Sequence, residues 1–281
     1  MKLSVVKGSV WGLTFLIALT VFGILTNRGN MDTTAEMENA TLPVIYLDVE
    51  GREVNCLFGY REPVQTAYVQ NCLTPIPKDR TLDITIQENG LKVDSVEYEL
   101  RSIDGQRLIE KTTVTDLVRK DGRLSAKLKF KDLLEEDTEY MLILPVTTED
   151  GECIYFYSKI LVCDNQYIAD SIDFVLDFHK KTFDKEQAGS IAKYLESSSG
   201  ADNSNYYSVN IHNSFDQITW GNLQPKEETP PKVTILEVND SISSYHVDYI
   251  ISNTEDDIKN YYRVREFYRV RYTETRMYLL E

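Results

Sequence analysis

Apolar and polar residues alternate with a period of two through residues 42–163. The alternation is clearest in three runs, Leu82–Gln87, Val96–Arg101 and Leu124–Lys131. Because successive side chains of a strand point to opposite faces, each run predicts a strand with one buried and one solvated face. Four dipeptides that tolerate the positive φ of tight turns separate such runs: Asn89-Gly90, Asp104-Gly105, Asp121-Gly122 and Asp150-Gly151. The pattern predicts about eight or nine short strands forming a β-sandwich over residues 42–163.

One part of this region resembles a known kind of module. The segment Asp132–Val146 contains a leucine, a turn and a Thr-x-Tyr sequence that leads into an apolar run. It is similar to the late part of fibronectin type III and related immunoglobulin-like sandwiches. The resemblance implies an Ig-like fold in which Tyr140 occupies the tyrosine corner and its hydroxyl bonds nearby backbone. That family provides scaffolds for adhesion, spacing and binding, and implies no particular activity.

The N-terminus carries an uninterrupted apolar stretch. Gly8–Thr26 holds no charged residue in 19 positions, and a helix of that length is about 28 Å long, close to the thickness of the hydrocarbon layer. We predict a cytoplasmic tip at residues 1–7, a transmembrane helix at 8–27 and a stalk at 28–41. A cleaved signal peptide is the alternative, although no Ala-x-Ala-like site follows the stretch. Lys2 and Lys7 precede the stretch and only Arg28 closely follows it, which predicts a single-pass cell-membrane protein with most of its chain outside the cytoplasm.

After residue 163 the pattern changes twice. Residues 164–200 show helical spacing of apolar positions and predict a helix pair. Residues 201–281 return to strand-like runs and predict an antiparallel β region, so that 165–281 forms an α+β domain. The strand candidates are Tyr206–His212, Gln217–Trp220, Lys232–Val238, Ser244–Ile251 and Tyr261–Tyr272. Because Met277–Glu281 has the pattern of a strand without a polar tail, we expect this region to be incomplete at its C-terminus. The fold class is therefore mostly β.

The charge balance restricts the partners. The chain has 45 acidic and 30 basic residues and a formal net charge of −15. Such a surface repels phosphate backbones, which argues against nucleic acid as a partner. The partners that remain are the membrane, through residues 8–27, and a protein or acidic glycan ligand.

Signatures of chemistry are sparse. His179, His212 and His246 are isolated, and no sequence motif for nucleotide binding, metal binding or nucleophilic catalysis occurs. We therefore predict a non-enzymatic protein with no cofactor. Cys56 and Cys72 are the most plausible local disulfide pair outside the cytoplasm, and buried free thiols are an equal alternative.

The one sharp feature is the basic run Tyr261–Tyr272. As a strand it places on one face Arg263, Arg265, Phe267, Arg269 and Arg271. Guanidinium groups fork onto carboxylates or phosphates, so this face is a candidate anion-binding stripe. The alternative is a solvated face whose arginines pair with neighbouring acids of the same sheet.

These observations favour a membrane-anchored, extracytoplasmic interaction or scaffold module of unknown ligand. A cell-envelope enzyme or accessory is the first alternative, and a clustered acidic pocket would favour it. A regulatory partner of another membrane protein is the second. A large exposed apolar patch would favour either kind of interaction protein.

Overall fold

The N-terminal helix is present but its prediction as a membrane span is not supported. The computed structural model describes residues 2–27, 40–131, 134–163, 167–255 and 258–281. Helix α1 (Lys2–Asn27) belongs to a unit separate from residues 41–281. Among the described residues, no helix is both long enough and apolar enough to cross a membrane. Most of the stalk predicted at 28–41 lies outside the described residues.

Strands dominate residues 41–281, which confirms the mostly β class. The first sheet has the order β2 (Arg52–Phe58), β1 (Val44–Val49), β4 (Thr81–Gln87), β8 (Arg123–Lys129) and β7 (Leu117–Lys120). The second has the order β3 (Leu73–Ile76), β10 (Cys153–Val162), β9 (Glu139–Thr148), β5 (Val93–Ser102) and β6 (Leu108–Val114). The third has the order β11 (Lys226–Glu227), β13 (Ile242–Glu255), β14 (Ile258–Thr273) and β15 (Arg276–Leu279), and β12 (Lys232–Val238) also pairs with β13. Helices α2 (Tyr167–Phe183) and α3 (Phe215–Ile218) lie between the second and third sheets in sequence, with 3-10 turns at Thr66–Tyr68 and Ala188–Tyr194.

The first two sheets enclose one apolar core. Along β4 and β8 every second residue is buried, as the alternation predicts. The buried side chains of both sheets form one cluster, including Leu47, Ile84, Tyr98, Leu144 and Phe156. Asp121 and Gly122 both have positive φ between β7 and β8, the backbone that a two-residue hairpin turn needs.

A second core lies between α2 and the third sheet. Ile172 and Val175 of α2 and Tyr245 and Val247 of β13 are fully buried in it. Residues of the sandwich strands, among them Val54, Leu73 and Leu161, are buried in this same cluster. Residues 41–281 consequently form one compact unit, and a segment limited to 42–163 would expose part of this shared core.

A buried asparagine joins the three sheets. Asn55 of β2 is fully buried and has a φ of 50°. Its Nδ2 donates to the Leu73 carbonyl at 2.9 Å and to Thr74 Oγ1 at 2.8 Å, both on β3. Its Oδ1 accepts the Ile235 N–H of β12 at 2.8 Å. The carboxamide therefore satisfies polar groups of two other sheets where no water reaches them.

Two predicted strands are absent. The structure has no strand at Tyr206–His212, and Gln217–Trp220 overlaps α3 instead. Ser214 caps α3, because its side chain accepts the Gln217 N–H. In the preceding loop, Asn205 and Asn210 side chains accept backbone N–H groups two residues ahead. Such local hydrogen bonds compete with strand pairing, and the spacing of apolar residues does not predict them.

We expect Asn55→Ala to lower the free energy of unfolding by about 3 kcal/mol, because it leaves buried polar groups of β3 and β12 unpaired. Asn55→Gly loses the same hydrogen bonds but accepts the positive φ, so it should cost about 1 kcal/mol less. Denaturant unfolding of both variants measures the difference. A loss below about 0.5 kcal/mol for the alanine variant would show that the side chain does not join the sheets.

Candidate functional site

The arginines of the basic run share one face of β14, but three of them are paired within the third sheet. Arg263 Nη2 and Arg265 Nε lie 3.1 and 3.0 Å from the same oxygen, Asp248 Oδ1 of β13. Arg269 Nη2 lies 3.6 Å from Glu237 Oε2 of β12. Arg271 lies over the Tyr278 ring, 5.0 Å from its centroid. The predicted anion-binding stripe therefore matches the alternative interpretation, a solvated strand face whose arginines pair with neighbouring acids of the same sheet.

Exposed apolar side chains gather where β13 and β14 meet. On the arginine face, Tyr261 is 61% exposed and Ile250 is also exposed. On the opposite face, Ile258 is 64% exposed and Tyr262 is also exposed, because strand side chains alternate. We call these four residues the hairpin patch. Ile250 is the cross-strand partner of Arg263, so the patch continues directly into the arginine face. Grouped exposed apolar residues of this kind are typical of interaction surfaces.

A buried ionisable cluster lies beneath α2. His179 is 2% exposed, and its Nδ1 lies 2.9 Å from Glu266 Oε2 of β14. The same carboxylate accepts the hydroxyls of Tyr249 at 2.7 Å and Tyr268 at 2.8 Å. Glu227 lies 3.5 Å from His179 Nε2. Glu266 thus gathers three side chains from three elements around one carboxylate.

The electrostatics of this cluster favour the protonated imidazole. Burial lowers the pKa of His179, but the hydrogen bond and charge of Glu266, aided by Glu227, outweigh it and raise the pKa above its ordinary value. Burial and the Glu266 charge raise the pKa of Tyr249 and Tyr268, so both hydroxyls stay protonated donors. Phe183 and Tyr249 pack edge-on against the imidazole. The buried imidazole therefore fastens α2 to β14.

A groove of about 630 Å³ lies on the second sheet, away from β14. Arg101 and Glu99 line it, and the guanidinium donates twice to Glu99 Oε2, at 2.9 and 2.8 Å. Burial raises the pKa of Glu99, but Arg101 and Lys111 outweigh it and lower that pKa below its ordinary value. Tyr155, Tyr157 and Pro145 also line the groove. Asp104 also lines the groove, where it accepts hydrogen bonds from the Ser102 hydroxyl and the Gln106 N–H. The groove therefore combines aromatic surface with the paired Arg101 and Glu99.

The predicted Cys56–Cys72 disulfide is absent, and both residues are free buried thiols. Cys72 Sγ lies 3.6 Å from Ser158 Oγ and 3.9 Å from the Tyr157 carbonyl oxygen. Burial raises the pKa of the Cys72 thiol to about 11 and also raises that of Cys56. Each thiol is buried separately and packs as a small apolar side chain. Buried free thiols are the alternative to a disulfide that the sequence left open.

Sequence reasoning missed the ionisable cluster because its members are far apart in the chain. His179 was expected only as an isolated helix residue, and Glu266 lies 87 positions away from it. Glu266 does stand out inside the basic run, where it is the single acid among four arginines. Within the part of the chain that the structure describes, no group of three or more His, Cys, Asp or Glu side chains is placed to hold a metal ion.

No protein family matches the chain, and no curated protein matches it either.

We expect the stabilisation supplied by His179 to depend on pH. Its folded pKa is raised, so the contribution is complete below the unfolded pKa of about 6.5 and is lost as pH rises through the folded pKa. His179→Gln keeps a donor without the charge. The variant should be less stable than the wild type by about 2 kcal/mol near pH 6, and the difference should shrink towards about pH 9. Urea unfolding across this range measures it, and a difference that stays constant or grows with pH contradicts the protonated pair.

Proposed function

We propose that residues 41–281 form a non-enzymatic interaction module that α1 tethers at the outer side of a cell membrane. The observation that carries the proposal is the hairpin patch. Four large side chains stand exposed at one end of the long β13–β14 hairpin. Ile250 and Tyr261 lie on the arginine face, and Ile258 and Tyr262 lie on the opposite face. Large exposed apolar side chains that lie near one another commonly mark a surface that a binding partner covers.

The ionisable groups favour binding over catalysis. The His179 imidazole is buried, Arg263 and Arg265 contact the carboxylate of Asp248, and Arg101 in the groove is paired with Glu99. An enzyme needs an accessible acid, base or nucleophile within reach of a substrate. The envelope enzyme or accessory therefore has less support than the interaction module. A regulatory partner of another membrane protein would use the same patch and is a special case of this proposal.

We also infer an immunoglobulin-like sandwich. Three features support it: β4, β8 and β7 are neighbours in one sheet, β10, β9, β5 and β6 are neighbours in the other, and β3 runs parallel to β10. This is the connectivity of B-E-D and G-F-C-C′ strands. The Tyr140 hydroxyl accepts the Glu135 N–H at 3.0 Å, the bond expected of a tyrosine corner. The β1–β2 hairpin is an addition to that arrangement.

The tether rests on the sequence and on the exposure of α1. Its uncharged stretch is 19 residues long, and the apolar side chains of Val10–Leu25 stand exposed, Trp11 by 75%. A helix that is apolar on all sides is usually buried in protein or lipid. The orientation, with the N-terminus in the cytoplasm, follows from Lys2 and Lys7.

We expect the full chain to remain in the membrane pellet after high-salt and carbonate washes, because the apolar helix is held by the lipid interior. A variant that lacks residues 2–27 should appear in the supernatant. Release of the full chain by carbonate, or of a processed protein that begins near residue 30, contradicts the tether.

Photo-crosslinking in the cell's own membranes tests the interaction function. A benzophenone amino acid at Tyr261 should give a discrete adduct with a protein partner. The matched control is Val118 on β7, which is 63% exposed but is not part of the hairpin patch. An absence of adduct at Tyr261, or the same adduct from both positions, contradicts the proposal.

A further inference from the structure

Strand β14 is much longer than the strand that pairs with its outer edge. The whole of β13 pairs with β14, over Ile258–Arg271 of β14. On the other edge, β15 pairs only with Val270–Thr273. Beyond that, Arg269 exchanges two backbone hydrogen bonds with Leu280 and Glu281, at 2.8 and 3.0 Å. In the described chain, no strand pairs with this edge between Ile258 and Tyr268.

The hydrogen bonds show which residues face the open edge. The Tyr272 N–H donates to Ser241 O beside β13, whereas the Arg269 N–H donates to Glu281 O on the other side. The N–H and C=O groups of a strand residue point to one side and alternate along an antiparallel strand, and the β13–β14 register is unbroken. The odd-numbered residues therefore present their backbone groups outward. Within the described chain, the odd-numbered residues that have no strand on their outer side are Lys259, Tyr261, Arg263, Arg265 and Phe267.

We propose that an extended segment of a partner protein adds as a strand along the Ile258–Phe267 edge of β14, with acidic residues on the arginine face and apolar residues on the opposite face. An unpaired edge of this length is a template for strand addition. The inference deepens the proposed interaction function and rests on it, since it assigns the partner's chemistry and its mode of binding.

The arginine face favours acidic side chains on the added strand. Arg263 and Arg265 share the single carboxylate of Asp248, so one of the two positive charges is not balanced by that pair. Both side chains are more than half exposed. Opposite charges on neighbouring strands stabilise a sheet, and like charges destabilise it. An acidic residue of the partner beside Arg263 or Arg265 therefore complements the positive charge that Asp248 does not balance.

The opposite face favours apolar side chains. Tyr262 is exposed there and Val264 is partly buried. Strand side chains alternate between the two faces of a sheet. In a segment whose acidic residues lie beside the arginines, the residues between those acids therefore lie beside Tyr262 and Val264. The structure thus selects a pattern of alternating acidic and apolar residues, a property of extended protein segments.

A second copy of the chain is a poorer occupant. Antiparallel pairing of two β14 edges about Val264 sets Arg263 of each copy opposite Arg265 of the other, and pairing about either arginine sets that arginine opposite itself. Such like-charge pairs are destabilising. The charge of the edge therefore argues against edge-to-edge self-association.

The binding probe is an eight-residue peptide of alternating glutamate and valine, added to the full chain in detergent micelles. The peptide with the same composition in two blocks, glutamates then valines, is the pattern control. A copy of the alternating peptide with every second amide N-methylated, so that it cannot donate to β14, is the backbone control. We expect the alternating peptide to bind at least about ten times more tightly than either control.

Protein variants separate charge from backbone pairing. Arg265→Ala removes the charge and keeps the outward N–H, whereas Arg265→Pro removes both and leaves the ladder to β13 intact, because this N–H points outward. Arg265→Pro should therefore weaken binding about tenfold more than Arg265→Ala. The Arg263→Glu, Arg265→Glu double variant should instead prefer an alternating lysine–valine peptide. This variant tests the charge complementarity, and the comparison of the alternating and block peptides tests the strand pattern even if the proline variant does not fold.

Equal binding of the alternating and block peptides, or equal losses in Arg265→Ala and Arg265→Pro, overturns strand addition and indicates a surface that attracts any polyanion, an acidic glycan included. Unchanged affinity of the N-methylated peptide overturns it as well. If strand addition fails while crosslinking at Tyr261 succeeds, the interaction function stands with another mode of binding. If crosslinking also fails, both proposals fall.

Discussion

The carboxamide of Asn55 is the contact on which the arrangement of residues 41–281 depends. It is fully buried, and it donates to β3 and accepts from β12 while its own backbone belongs to β2. A buried polar group left without partners costs about 1–3 kcal/mol, so this side chain favours the one packing in which all three sheets meet around it. The pairing of Arg52 with Asp173 of α2, at 2.5 and 2.7 Å, fastens the same strand to the helix. β2 therefore contacts both the sandwich and the unit formed by α2 and the third sheet.

This arrangement accounts for the rigidity expected of the β13–β14 hairpin. One part of the hairpin is covered by α2 and held by the His179–Glu266 pair, and Tyr245 and Val270 are fully buried there. The other part extends past the cover of α2 and carries the hairpin patch. A strand edge that is held at one end by a packed core is already ordered before a partner arrives, which reduces the entropic cost of binding.

Local features were predictable from the sequence, whereas long-range polar contacts were not. Period-two alternation located β4, β5 and β8, the dipeptide Asp121-Gly122 located a hairpin turn, and Tyr140 was assigned its backbone hydrogen bond from a short resemblance. These features depend on neighbours in sequence. Asn55 has a partner 180 residues away, and His179 has one 87 residues away, so no local pattern marks either. The arginine face was predicted correctly in geometry, but its pairing with Asp248 and Glu237 required the register of three strands.

Amide hydrogen exchange along β14, resolved residue by residue in the protein without a partner, tests the central claim that this edge is ordered and open. The N–H groups of Val264 and Glu266 point to β13 and should exchange slowly. Those of Arg263, Arg265 and Phe267 point outward and should exchange orders of magnitude faster, which gives a period-two pattern. Slow exchange at all five positions would mean that the edge is already covered. Fast exchange at all five would mean that β14 is not held against β13, and either result contradicts the account.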